Sequence, residues 1–252
     1  MVSRETSIAS GLDQMGLSAG SDVASRLDRL TQILLDEAIP KGFLGPNEAT
    51  DIVGRHIMDC AATAVLIGED DGGVIDVGSG AGLPCLVLAC LGSQVVAVES
   101  LGRRADFIER VALDLALDVR VVRSRAEDAG RTVLRQSANA VVARALAEPP
   151  VALELTLPFA RVGGRVILPA SDTYAAEIEI RDGEARLTGL RVAAHELGGG
   201  PPVVRGLSIP VPMPSSDSGA TRPGWFIMVE KVSDTVDRYP RRPGVPKRRP
   251  LG

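Results

Sequence analysis

The chain has 252 residues, 45% hydrophobic but only 3% aromatic, so it can bury a sizeable core built mainly from Ala, Val, Leu and Ile, and a disordered chain is excluded. Its 27 Gly and 17 Pro follow no triplet period, which excludes collagen, and no apolar run reaches the ~18–20 residues that a membrane-spanning helix needs. The net charge of −4 hides an asymmetry, because Lys231, Arg238, Arg241, Arg242, Lys247, Arg248 and Arg249 face only Asp234 and Asp237 beyond residue 230.

The first twenty residues lack the apolar centre of a secretory signal, so the chain is expected to stay in the cytoplasm. Cys60, Cys85 and Cys90 are odd in number and form no C-x-x-C pair. They read as buried small hydrophobes, without disulfide or zinc. With only His56 and His195 besides, no metal is expected.

Val23, Leu27, Leu30 and Leu34 recur at helical spacing, which predicts an amphipathic helix over 21–38 that ends at Pro40 and Gly42. The turn Gly42-Phe-Leu-Gly-Pro leads to Asn47 as N-cap of a second helix over 48–67. Residues 1–70 therefore read as a helical cap. From Gly73 the pattern changes to short Val- and Ile-rich runs at 74–77, 95–98, 119–122, 140–143 and 166–168, alternating with helices such as 104–117. Runs buried on both faces between helices describe a mostly parallel sheet with right-handed crossovers. Longer runs at 207–211 and 225–232 flank a Ser/Pro/Gly loop, 212–224, and predict an antiparallel hairpin at one sheet edge. Residues 71–232 form this α/β domain. Residues 233–252 form a separate basic tail. Its prolines forbid a regular helix, and its cations suit a polyanion.

The most informative stretch is Gly73-Val-Ile-Asp-Val-Gly-Ser-Gly-Ala-Gly-Leu-Pro, a strand running into Gly78, Gly80 and Gly82. In a doubly wound sheet such a loop lets an adenosine-bearing ligand approach the backbone at the carboxyl ends of the strands. Glu99, ending the next strand, is placed to accept both ribose hydroxyls. The spacing is neither that of a dinucleotide loop nor that of a P-loop, and the loop holds no Lys or Arg to meet a phosphate. Asp76 would repel a pyrophosphate but could order water or take the ammonium of a methionine-like group. Together these features favour S-adenosylmethionine.

Five segments then follow in order: Arg55-His-Ile-Met-Asp-Cys, Asp76-Val-Gly-Ser-Gly-Ala-Gly-Leu-Pro, Glu99-Ser-Leu-Gly-Arg-Arg, Ser124-Arg-Ala-Glu-Asp and Ala143-Arg-Ala-Leu-Ala. Over residues 20–170 the chain resembles the RsmG, or GidB, family of bacterial 16S ribosomal RNA guanine-N7 methyltransferases, and its Tyr239-Pro-Arg-Arg-Pro-Gly tail is similar to tails in that family. The resemblance implies a class I, Rossmann-like methyltransferase that uses S-adenosylmethionine on 16S rRNA or the 30S subunit as a monomer. It implies that Gly78 and Leu83 line the methionine and adenosine part of the cofactor, that Ala126 and Glu127 border the adenine, and that Arg144 sits at the mouth shared with the target base.

An arginine at the end of a parallel strand points into the crevice on general grounds too, where its fork can hold phosphate or the O6 edge of guanine. The bland alternative is a surface ion pair with Glu148. His56, near Ile52 and Val53, reads as a packed core histidine rather than a catalyst. Arg55, Arg103, Arg104, Arg241, Arg242, Lys247, Arg248 and Arg249 are the candidate RNA contacts. The chain departs from the family in Leu168-Pro169-Ala170, where relatives carry Leu-Lys-Gly, and in Cys85, where they carry glycine. Removing the tail is expected to weaken RNA binding and spare cofactor affinity. A methyltransferase acting on a small molecule or protein, and a non-catalytic cofactor-binding protein of the ribosome, stay open as alternatives.

Overall fold

A computed structural model of the chain describes residues 3–17, 20–68, 73–171, 174, 183–211 and 220–252. Its seven strands, β1 (Val74–Val77), β2 (Val95–Val98), β3 (Val119–Val122), β4 (Ala138–Val142), β5 (Ala160–Ala170), β6 (Val203–Pro210) and β7 (Thr221–Glu230), form one sheet in the order β3-β2-β1-β4-β5-β7-β6. The first five are parallel; β7 runs antiparallel between β5 and β6. The crossover helices therefore cover both faces, and a hairpin closes one edge, as the two longer runs flanking a loop predict. Most of the connecting loop, 212–219, lies outside the described residues. β4, β6 and β7 begin at Ala138, Val203 and Thr221, each ahead of its predicted run, and two further differences concern β3 and β5. β3 is the opposite edge strand and is only half-buried, and β5 extends well ahead of the apolar run 166–168, its exposed residues 161–163 held by the Gly163 N–H on the Lys231 carbonyl at 2.8 Å and by Arg161 on Asn139.

Alternation along β1 sends Val74 and Asp76 to one face and Ile75 and Val77 to the other. The first face meets α1 (Arg4–Gln14), α2 (Ser21–Ile33), α3 (Asp59–Ile67), α4 (Cys85–Cys90) and α5 (Gly102–Asp114), with Leu12, Leu27, Leu86 and Ile108 at the centre of one hydrophobic cluster. The N-terminal helices thus share a core with the crossover helices. The second face meets α6 (Ala126–Ala129), α7 (Pro149–Thr156) and α8 (Gly183–Glu196) around Leu153, Phe159, Ala193 and Ile227. All three cysteines are buried.

The segment expected as one helix over 48–67 has three windings: a 3-10 turn (Pro46–Asp51), a π-helical stretch (Val53–Met58) and α3. Proline's fixed φ starts the first turn at Pro46, so Gly45 takes the cap position and Asn47 lies inside the turn. α1 carries no strong periodicity and was not evident from the sequence; Ser3 caps it by accepting from the Thr6 N–H.

The carboxy-terminal segment corrects the picture of a free, irregular tail. Tyr239 is buried in the second cluster, and a single helical turn, α9 (Val245–Arg248), forms with Pro246 in its first positions, where no N–H is missed. Arg135 donates to the carbonyls of Tyr239 and Val236 at 2.7 and 3.3 Å, and Arg131 to those of Asp237 and Arg238 at 3.2 and 3.3 Å. Lys231, one of the basic residues of this region, is fully buried against the Leu197 carbonyl at 2.8 Å, and burial pushes its ammonium down to about 8.

Candidate active site and cofactor cleft

The glycine loop leaves β1 at the carboxyl edge of the sheet. Gly78, Gly80 and Gly82 all take positive φ (+76°, +58° and +84°), and a Cβ on Gly78 would stand 2.6 Å from Leu146 Cδ1. The loop's bend therefore favours glycine for its backbone, and a side chain at 78 would also have to displace the end of Leu146. Glu99, only 4% exposed, clamps it: Oε2 accepts from the Gly80 N–H at 2.8 Å and Oε1 from the Leu101 N–H at 2.7 Å. The carboxylate expected to hold a ribose first ties the loop to the start of α5. Each oxygen keeps a second lone pair for a hydroxyl.

Asp76 does not reach the cleft. In phase with Val74, it points into the α1–α5 layer, fully buried, with Oδ2 accepting from the Cys85 N–H at 3.1 Å and Oδ1 unpartnered. Burial pushes its carboxyl up to about 7. The expectation that it takes a ligand's ammonium is corrected by this register: it supports the loop from behind.

Two hollows meet at Gly78. The larger, about 490 Å³, lies between the glycine loop, with Leu83, and a roof of Phe43, Leu44, Glu48 and His56 from the N-terminal layer. Arg144 closes one end. Its Nη1 donates to His56 Nδ1 at 2.6 Å and its Nη2 to the Arg55 carbonyl at 2.9 Å, so the alternative pairing with Glu148 is not the one formed. Because a guanidinium can only donate, Nδ1 is the acceptor, and His56 Nε2–H donates to Glu48 Oε2 at 2.7 Å. His56 is thus a neutral, 5% exposed imidazole; burial and then Arg144 lower its pKa. Glu48 is a site residue that sequence reading missed. Its distance from His56 along the chain suits neither α nor β spacing, and the 3-10 and π windings bring them together.

The second hollow, about 210 Å³, is bounded by Val98, Ser124, Ala126, Glu127 and Leu146, and also by Gly244, Pro246 and Lys247. Ala126 and Glu127, the expected neighbours of an adenine, both line this hollow. Glu127 already accepts from the Gly244 N–H at 3.1 Å.

The expected RNA contacts divide. Arg55 is exposed and lines the larger cleft, as does Arg104, whose guanidinium lies 5.9 Å from the Phe43 ring centre. Arg103 faces a separate shallow hollow beside Phe107. Arg242, Lys247, Arg248 and Arg249 are exposed. Arg241 is instead committed to the fully buried Glu154, donating Nε–H to Oε1 at 2.8 Å, because that carboxylate needs a counter-charge. Pro169 borders a third hollow with Arg55, Arg222 and Trp225. Among the described residues no cluster of three or more His, Cys, Asp or Glu is arranged to hold a metal ion, and no helix is long and apolar enough to cross a membrane.

The donor set fits S-adenosylmethionine. A side-chain-free bend at Gly78 joins two hollows, the loop itself carries no cation for a pyrophosphate, and carboxylates edge both sides. With a mostly parallel sheet that carries one antiparallel strand, β7, next to its edge, these features define a class I, Rossmann-like methyltransferase. Residues 24–199 match the family model GidB, rRNA small subunit methyltransferase G, and the chain belongs to that family. The ribosomal RNA small subunit methyltransferase G of Roseiflexus sp. (strain RS-1) is 37% identical over 79% of this chain and 80% of its own. That of Deinococcus deserti is 36% identical over 97% and 95%. Among solved structures, cofactor-bound Rv0187 from MTB gives a TM-score of 0.51 at 16% identity, covering 92% of this chain and 100% of that one; this likeness shows the fold alone.

Proposed function

We propose that this protein transfers the methyl group of S-adenosylmethionine to N7 of a guanine in the 16S rRNA of the small ribosomal subunit. The observation that carries the reading is the meeting of two hollows at Gly78, in a chain of the rRNA small subunit methyltransferase G family, with Arg144 at the mouth of the larger. Gly78, Gly80, Gly82 and Leu83 would hold the methionine and sulfonium part, Glu99 the ribose, and Ala126 with Glu127 the adenine. When bound, the cofactor supplies an electrophilic methyl group.

The residues around it act by placement. Guanine N7 already exposes a lone pair, so no general base is required. His56 suits that requirement, since its Nδ1 lone pair is occupied by Arg144 and its Nε2–H by Glu48. A guanidinium carries five N–H donors, and those of Arg144 not used on His56 and Arg55 can hold guanine O6 and align N7 with the methyl carbon. Arg55 and Arg104 would contact phosphates at the cleft, and Arg242, Lys247, Arg248 and Arg249 would add salt-sensitive attraction from the tail. The protein would work in the cytoplasm as a monomer.

The test is methyl incorporation from labelled cofactor into 30S particles, 16S rRNA, free nucleotides and proteins, with N7-methylguanosine mapped in rRNA from cells with and without the protein. Incorporation into 30S or 16S rRNA at guanine N7 supports the reading. Incorporation elsewhere supports the small-molecule or protein alternative, and cofactor binding without transfer supports a non-catalytic one.

A further inference from the structure

We propose that the carboxy-terminal segment Gly244–Lys247 is the outer wall of the adenine subsite, so that seating this segment and binding the methyl donor are coupled. The proposal rests on the cofactor reading above and deepens it. The hollow beyond Gly78 is lined by Val98 and Ala126 and, from the carboxy-terminal segment, by Gly244, Pro246 and Lys247. Apolar walls with a few polar atoms at one edge suit a flat purine. Glu127, 8% exposed, joins the two sides: Oε1 accepts from the Gly244 N–H at 3.1 Å, and its remaining acceptor capacity can take the exocyclic amine of an adenine. Pro246 is buried, so the wall is in place before any ligand arrives.

The segment is also fastened from behind. The Glu154 carboxylate, wholly buried, accepts from both the Arg241 main-chain N–H (2.9 Å) and its guanidinium, while Arg131 and Arg135 hold the carbonyls just upstream. A segment serving only as a flexible cation tether would need none of these contacts. On this proposal, removing residues 238–252 weakens cofactor affinity, the opposite of the expectation that it spares it.

The experiment compares S-adenosylhomocysteine binding by calorimetry in the full chain and in a chain ending at Gly244. It also follows amide hydrogen exchange over 244–249 in the full chain with and without saturating S-adenosylhomocysteine. The expected result is an affinity at least about tenfold weaker on truncation, together with slowed exchange in the segment when ligand is bound. If the truncated chain is folded and its affinity stays within about twofold, the wall is overturned. If truncation prevents folding, exchange in the full chain decides, and unchanged protection overturns it. A full chain that fails to bind S-adenosylhomocysteine overturns the cofactor reading itself, which is distinct from equal binding by both chains.

Discussion

Arg144 donates to Nδ1 of His56 across 2.6 Å, tying the end of β4 to the π-helical stretch of the N-terminal layer. The bond requires an unprotonated Nδ1, and Glu48 sets that tautomer from the other side of the ring. His56 is therefore a positioning residue for Arg144. As pH falls through its lowered pKa, the imidazolium loses its acceptor and repels the guanidinium. The rate of rRNA methylation should therefore fall on the acid side of the ordinary imidazole range. His56→Gln, whose amide oxygen can accept without titrating, should flatten that acid limb. His56→Ala should lower kcat about tenfold or more at neutral pH, with S-adenosylhomocysteine affinity little changed. Initial-rate pH profiles check all three.

Gly78 is constrained twice, by φ of +76° and by Leu146 at 2.6 Å from where a Cβ would sit. Gly78→Ala should cost about 1–3 kcal/mol in stability and abolish measurable cofactor binding. Adding Leu146→Ala makes space but leaves the left-handed backbone, so it should recover only part of both losses. Thermal melts and calorimetry on the single and double variants separate steric from conformational strain.

Asp76 should be a stability liability at neutral and alkaline pH. Burial raises its carboxyl from 3.8 to about 7 in the folded chain. Between those values the folded state holds a proton that the unfolded state releases, so stability from this group falls as pH rises through the window and the penalty is complete above it. That penalty is on the order of 4 kcal/mol. Asp76→Asn should therefore raise the melting temperature at pH 8 by several degrees, with the gain vanishing toward pH 4. Melting curves across that range are the check.

Arg241 and Glu154 form a pair in which the carboxylate is wholly buried. Arg241→Ala strands that charge and should destabilise the fold by about 3–5 kcal/mol, whereas the double variant Arg241→Ala/Glu154→Leu should recover most of the loss. Urea denaturation measures both.

Arg242 and Arg248 are exposed on the segment whose Arg241 is held by Glu154, and the proposed function gives these two the attraction for RNA. Replacing both with alanine should reduce the slope of log affinity against log salt for 30S or 16S rRNA by roughly 1.5–2. Filter binding at graded salt gives the slope directly.

Local information was enough for a good part of this protein. Short runs of Val and Ile mark β1, β2 and β3 with their observed bounds, although only β1 and β2 are buried as the runs imply and β3 lies half-buried at the edge. The glycine triplet, Glu99 at a strand end and the ordered motifs around them announced the cofactor loop and the family. Partners between distant segments were decided only by the tertiary structure. Alternation turned Asp76 away from the cleft, since its side is set by which face of β1 packs on α4. Glu48, His56 and Arg144 converge because a 3-10 turn and a π stretch rotate the first two toward the end of β4, a winding that no hydrophobic period encodes. The basic tail read as an irregular segment suited to a polyanion because composition records cations but not their counter-charges. Glu154, Glu127 and the carbonyls facing Arg131 and Arg135 lie roughly ninety to a hundred and twenty residues away in sequence, and only folding brings them within hydrogen-bonding reach.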